Sequence, residues 1–264
     1  MNSETKNISK VDSRHEKICE MLMAKNVVTL AEFCETFGCS ESTIRNDLRA
    51  LEGQGLITRY FGGAVANDAL RSAEPLSSRK LVQAEEKDLI GKYIAHEIIH
   101  PGDTVILDDG TTSYAVAQHL LRREISLSVI VISIDIAQLL SYSSNITLYV
   151  SGGRFINHNN CFDPASVANF ISAFHADYFI MSPSAVDTAA GCTTNTYEIA
   201  QIKRALMKQA KTTVGAIVSN KFGITKLGTI CDLSDLGVIV TDSHISQQHL
   251  VQLQEANGCP HVIV

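Results

Sequence analysis

The stretch "CSESTIRNDLRALEGQGLITRYFGGAV", Cys39 to Val65, decides how this 264-residue chain is read. Within it Ile44, Leu48 and Leu51 recur at i, i+4 and i+7, so one helical face turns inward. The opposite face carries Ser42, Thr43, Arg45, Asn46 and Arg49. Ser40 stands where an N-cap belongs, and Gly38 ends a preceding helix, "LAEFCETF", that Thr29 is placed to cap. Farther upstream Ile18, Met21 and Leu22 keep helical spacing, which predicts another helix over Arg14 to Leu22. Two helices joined by a short turn containing Gly, the second with a polar, Arg-bearing face, predict a helix-turn-helix whose second helix enters the major groove. The run "GLITRYFGGAV" then reads as a two-stranded wing ending in Gly62-Gly63.

The expected contact set is Ser40, Ser42, Thr43, Arg45, Asn46, Arg49 and Arg59. Arg45 and Arg49 suit base edges or phosphates, and Arg59 on the wing suits a phosphate. The competing reading is a solvated helix face, because Glu41, Asp47 and Glu52 dilute the positive potential.

Working outward, a net charge of −6 argues against a generally basic coat, so DNA affinity has to be local. Apolar residues make up 45% of the chain, enough for a large core. The polar N-terminus lacks a signal-peptide core and no run approaches the ~20 apolar residues of a membrane span, so a cytoplasmic protein is expected. Seven scattered cysteines without a CxxC pair support neither a disulfide framework nor a zinc site. The histidines show no HxxxH or HxH spacing, so no metal is expected, and nothing points to a cofactor.

The boundaries predicted are 12–65 for a winged helix-turn-helix (α+β), 66–78 for a linker around Pro75, and 79–264 for an α/β body. A helix is expected from about Glu85. Beyond it β-type runs ("TVILDD", "LSVIVIS", "ITLYVSGG", "ADYFIMSP", "TTVGAIVS", "LGVIVTD") alternate with helical stretches, the pattern of a largely parallel sheet covered on both faces.

Ligands of open parallel sheets bind beyond the strands' carboxyl ends. After "TVIL" come Asp108, Asp109, Gly110, Thr111 and Thr112, where amides and hydroxyls can face an anion, or form a tight turn with a Thr cap. After "ITLYVS" come Gly152, Gly153 and Arg154, and after "TTVGAIVS" Lys221. A glycine pair also ends strands for no other reason, and an exposed Lys in a turn is common. The tract Thr193 to Thr196 either hydrogen-bonds sugar hydroxyls or caps the following helix. Walker, GxGxxG and GxSxG signatures are missing, which disfavours nucleotide hydrolysis, dinucleotide binding and the usual hydrolase chemistry.

Taken together these residues resemble the DeoR family of bacterial transcriptional regulators, from about Arg14 to Asp242. The reader pattern stands as "TIRNDLRALEGQGLITRYFGGA", Thr43 to Ala64, and the body pattern as "GDTVILDDGTT" from Gly102, with Lys221 to Gly223 as "KFG". The resemblance implies a body similar to the sugar-phosphate isomerase and CoA-transferase fold. It also implies repression of a carbohydrate operon and release of DNA on binding a phosphorylated sugar. The implied effector contacts are Asp108, Gly110, Thr111, Thr112, Gly152, Gly153 and Lys221, to which the strand-end reading adds Arg154. The chain departs from the family pattern at Ile134, Asp163 and Val218, which points to an altered effector or, alternatively, to a lost effector affinity.

Two functions follow. The first is an operator-binding regulator, a dimer or tetramer, since paired readers match paired half-sites. The alternative is a sugar-phosphate isomerase-like enzyme with a DNA-binding appendage, its base drawn from Asp108, Asp109, Asp187 or Glu198.

Overall fold

The computed structural model describes residues 10–25, 27–53, 57–66, 83–156, 161–255 and 261–264. Its contacts divide the chain into two units, Met1–Pro75 and Leu76–Val264. The expected linker lies, beyond Ala66, outside the described residues.

The first unit holds helices α1 (Lys10–Lys25), α2 (Leu30–Phe37) and α3 (Glu41–Gly53), with strands β1 (Val27–Thr29), β2 (Ile57–Tyr60) and β3 (Gly63–Ala66). Thr29 ends β1 and caps α2 through a capping box: its hydroxyl accepts from the Glu32 N–H while the Glu32 carboxylate takes the Thr29 N–H. Gly38 closes α2 in the left-handed region at φ 59°, which turns the chain into α3. Ile18, Leu22, Phe33, Ile44, Leu48 and Leu51 are buried together, as their spacing requires.

β2 and β3 form an antiparallel hairpin, and β3 also pairs with β1, a strand the periodicity did not show. Gly62 therefore lies in the turn and Gly63 opens β3. A Cβ on Gly63 would stand 2.2 Å from the Val28 carbonyl oxygen, so only glycine lets the hairpin close on β1.

The second unit is an α/β/α sandwich. Its seven strands are β4 (Thr104–Leu107), β5 (Leu127–Val131), β6 (Ile146–Val150), β9 (Ala176–Met181), β12 (Ala210–Ala216), β14 (Val238–Thr241) and β15 (His261–Ile263). They lie in the order β15-β14-β12-β9-β4-β5-β6, with every neighbouring pair parallel.

Successive strand residues feed opposite faces, as the pleat demands: Ile106, Ile130 and Phe179 point one way, and Val105, Leu107, Val129 and Ile180 the other. Helices α4 (Ala84–Tyr93), α5 (Thr111–Arg123) and α6 (Ile134–Leu140) contribute Ile90, Val116 and Ile136 to the second face. Helices α7 (Pro164–Ile171), α8 (Tyr197–Met207) and α9 (Gln247–Glu255) contribute Val167, Leu206 and Leu253 to the first.

The six expected strands are present. Additional are the edge strand β15, the two-residue strands β7 (Phe155–Ile156) and β8 (Cys161–Phe162), and a small antiparallel sheet of β10 (Ala185–Asp187), β11 (Gly191–Thr194) and β13 (Gly228–Cys231). The polar tract expected to lead into a helix thus falls partly in β11, and Thr196 alone caps α8. Helix α4 continues as a π-turn over Ile94–Ile98, whose carbonyl at Ala95 accepts from the Arg123 guanidinium.

Candidate functional site

In the first unit Ser42, Arg45, Asn46 and Arg49 form one exposed stripe on α3, set against buried Ile44, Leu48 and Leu51. Ser40 caps the helix through the Thr43 N–H and shares hydrogen bonds with Ser42 and Thr43. The Arg45 guanidinium meets Glu41 at 2.9 Å with both side chains more than half exposed, so solvent screens the pair. Arg49 donates to the Asn46 side-chain oxygen. Arg59 on β2 is held by Glu52, which accepts from both its N–H and its Nε.

Asp47 is not a charge on the reading face. It is 5% exposed and takes a two-pronged ion pair from Arg14, 2.6 Å at Nε, plus a contact with His15 at 3.1 Å. The expected dilution by Asp47 is therefore corrected: three groups tie α1 to the back of α3. Burial works to raise its carboxyl pKa, but the hydrogen bonds from Arg14 and His15 prevail and hold it low.

In the second unit the chain leaves β4, builds β5 and β6 to one side, then crosses to β9 on the other. The strand order reverses between β4 and β9, and a crevice opens at the carboxyl ends of such a pair. Gly110, Thr111 and Thr112 follow β4 there, and Ser182 follows β9. The Lys221 ammonium donates to the Ser182 hydroxyl at 2.9 Å, which in turn donates to the Thr112 hydroxyl at 3.3 Å. Gly110 precedes α5 with no side-chain cap, and a Cβ on it would stand 2.6 Å from that of Ser182. The arrangement brings together one ammonium, the Ser182 hydroxyl backed by a fully buried Thr112, and the amino end of a 13-residue helix, which suits an oxyanion.

Asp108 lies beneath this mouth. It is fully buried: Oδ1 accepts from Gly110 N–H and Ser113 Oγ, and Oδ2 accepts from Ser182 N–H and the Lys203 ammonium. Lys203, 3% exposed on α8, also donates to the Ser182 carbonyl at 2.9 Å and lies 3.6 Å from Asp109. Burial works to lower the ammonium pKa, but Asp108 and Asp109 outweigh it and raise it above the ordinary lysine value. Asp108 thus shapes the mouth instead of lining it.

Gly153 and Arg154 are drawn elsewhere. Gly153, at φ 127°, backs onto Ser166 of α7, and the Arg154 N–H donates to Asp163. Asp163 is the N-cap of α7: Ser166 holds its carboxyl below the usual range, with help from the Arg154 amide. Gly152 has open space where a side chain would stand. Asp187, nominated as a base, accepts from the Ala189 and Ala190 amides as a turn former.

Sequence reasoning missed Ser182 and Lys203. Ser182 ends the run "ADYFIM" and so carried the strand-end signal, whereas Lys203 sits mid-helix without one. Among the described residues no cluster of metal-ligating side chains occurs, and no helix is long and apolar enough to cross a membrane.

A polar helical reader and a strand-end anion mouth, carried on one chain, define a DNA-binding transcriptional regulator with a sensor domain. Family profiles agree on both parts: one described as the DeoR-like helix-turn-helix domain matches residues 14–69, and one described as the DeoR C terminal sensor domain matches 82–243. The chain belongs to the DeoR family. It is 30% identical to the HTH-type transcriptional repressor GlcR of Bacillus subtilis over 94% of both chains. It is 32% identical to the transcriptional repressor AccR of Agrobacterium fabrum, covering 87% of this chain and 89% of that one. To the glycerol-3-phosphate regulon repressor of Escherichia coli it is 28% identical, over 93% and 99% of the two. These relatives are repressors, and the chain is a regulator of their family. A solved ribose 5-phosphate isomerase A from Neisseria gonorrhoeae resembles 55% of the chain and 56% of its own, at 12% identity and a TM-score of 0.39.

Proposed function

We propose that this protein is a cytoplasmic repressor of a carbohydrate operon that binds DNA as a homo-oligomer and lets go when a phosphorylated sugar or sugar alcohol enters the mouth beyond β4 and β9. The observation that carries this reading is the Lys221–Ser182–Thr112 chain of hydrogen bonds at the point where the strand order reverses. In this reading the first unit is a winged helix-turn-helix spanning 12–65, with α3 as the reading helix and the β2–β3 hairpin as the wing. Residues 66–78 are its linker, and the body over 79–264 is isomerase-like in fold. Ser42, Arg45, Asn46 and Arg49 address the major groove, Ser40 and Thr43 the adjoining backbone, and Arg59 a phosphate.

In the mouth Lys221 meets the phosphoryl group, with Gly110, Thr111 and Thr112 beside it and Asp108 as support from below. Gly152, Gly153 and Arg154 stay outside this contact set. The regulator releases DNA because effector binding favours a subunit arrangement that no longer matches the half-sites.

The test is a gel shift of the purified protein on its own upstream DNA, with and without phosphorylated sugars. A salt-sensitive shift that one of them abolishes is expected. Arg45→Gln and Arg49→Gln should each cost about 1–3 kcal/mol where they read a base. At a phosphate the same change lowers the salt slope by about one. A protein that shifts no upstream fragment at any salt concentration refutes the reading.

A further inference from the structure

Helix α8 has two charged faces. Its inner face sends Lys203 beneath the mouth, while its outer face presents Tyr197, Gln201 and Arg204 at i, i+4 and i+7, with the C-cap Lys208 following at i+11. With Arg154 and Asp163 they line an open groove of about 840 Å³ along α7 and α8. Three cations therefore face one carboxylate, on a chain whose net charge is −6. That carboxylate is already engaged, since Asp163 accepts from the Ser166 and Arg154 amides.

Tyr197 is 57% exposed, and the Arg204 guanidinium lies over its ring, 5.7 Å from the centroid, while donating to the Thr229 carbonyl. The ring thus has the guanidinium over one face, which leaves the other for a stacking partner. The groove shares no lining residue with the mouth at Lys221, Ser182 and Thr112.

We propose that this groove is a second ligand site that takes a nucleoside diphosphate. Arg154 and Lys208 meet the two phosphoryl groups from opposite walls, Arg204 adds a planar donor, and Tyr197 stacks the base. A single small anion would leave the aromatic face unused, and an uncharged ring would leave the cations unmatched. The volume falls within the range of about 300–1,000 Å³ that small-molecule clefts occupy.

The experiment is calorimetric titration of the full-length protein with ADP, pyrophosphate and adenosine. ADP is expected to bind more tightly than either fragment. Arg154→Gln and Lys208→Gln should each weaken it about tenfold, the loss of one charge-assisted contact. Tyr197→Ala should erase the advantage of ADP over pyrophosphate. All three side chains are exposed, and unchanged melting temperatures confirm that the variants are folded. Lys221→Gln should leave ADP affinity as it was. The proposal is overturned if ADP gives no heat up to about 5 mM, beyond the weak end of specific binding. It is equally overturned if the groove variants bind ADP unchanged, or if Lys221→Gln abolishes binding and so moves the nucleotide to the mouth. Because this test does not involve operator DNA or sugar phosphates, its failure leaves the proposed function standing.

Discussion

Lys203 and Asp108 show how much one buried pair can determine. Removing the ammonium strands a carboxylate of 0% exposure among groups that cannot replace a charge, so Lys203→Met should cost about 3–5 kcal/mol in chemical denaturation. Because the lysine pKa is raised in the folded state, this stabilisation is fully present below the unfolded value of about 10.4. It is lost only as pH rises through the still higher folded value, so the effect of Lys203→Met should be constant between about pH 6 and 9. Glu32 behaves in the opposite sense. The Thr29 amide, then Lys25 and the Thr29 hydroxyl, pull its pKa down to about 2. Its contribution is present above the unfolded value of about 4.3 and fades as pH falls through the folded one. An NMR titration should place the Glu32 midpoint near 2; a midpoint near 4 would show the capping box to be open in solution.

At the scale of elements, the reader depends on how closely the hairpin approaches β1. Gly63→Ala puts a methyl group against the Val28 carbonyl, and overpacking of this kind costs about 1–3 kcal/mol. Thermal melting of the first unit should fall accordingly, whereas Gly152→Ala, facing open space, should leave the melting of the second unit unchanged. The same elements show what was legible beforehand. The α3 stripe, the Thr29 cap and the Gly38 stop were readable because each is local: periodicity and caps act within about one helical turn. β1 was not readable, since three residues carry no period and the strand exists only through its partner β3. The π-turn after α4 was equally hidden, because the group that satisfies its carbonyls, Arg123, belongs to α5.

For the whole molecule, the proposed mouth and the proposed reading helix belong to separate units. An effector at about 100 times its Kd should stabilise the second unit by about 2.7 kcal/mol. Lys221→Gln should abolish that rise while leaving operator binding intact, measured as paired thermal-shift and gel-shift titrations. Loss of both would place Lys221 in the frame of the fold instead of the site.

What the sequence by itself determined is the helical unit followed by an α/β body, the exposed polar face of α3 and the residues at the strand ends, because these rest on local periodicity and on the alternation of strand and helix. Only the tertiary structure decided which strand ends meet, since the order β6-β5-β4-β9 is set by packing across some 70 residues of chain. The same packing buried Asp108 beneath the strand ends, sent Arg154 to the α7–α8 groove, and turned Asp47 from a surface charge into a staple. Each of these is a matter of burial and partner choice. A side chain's solvent exposure and its counter-ion are properties of the folded neighbourhood, which residue type and spacing along the chain do not contain.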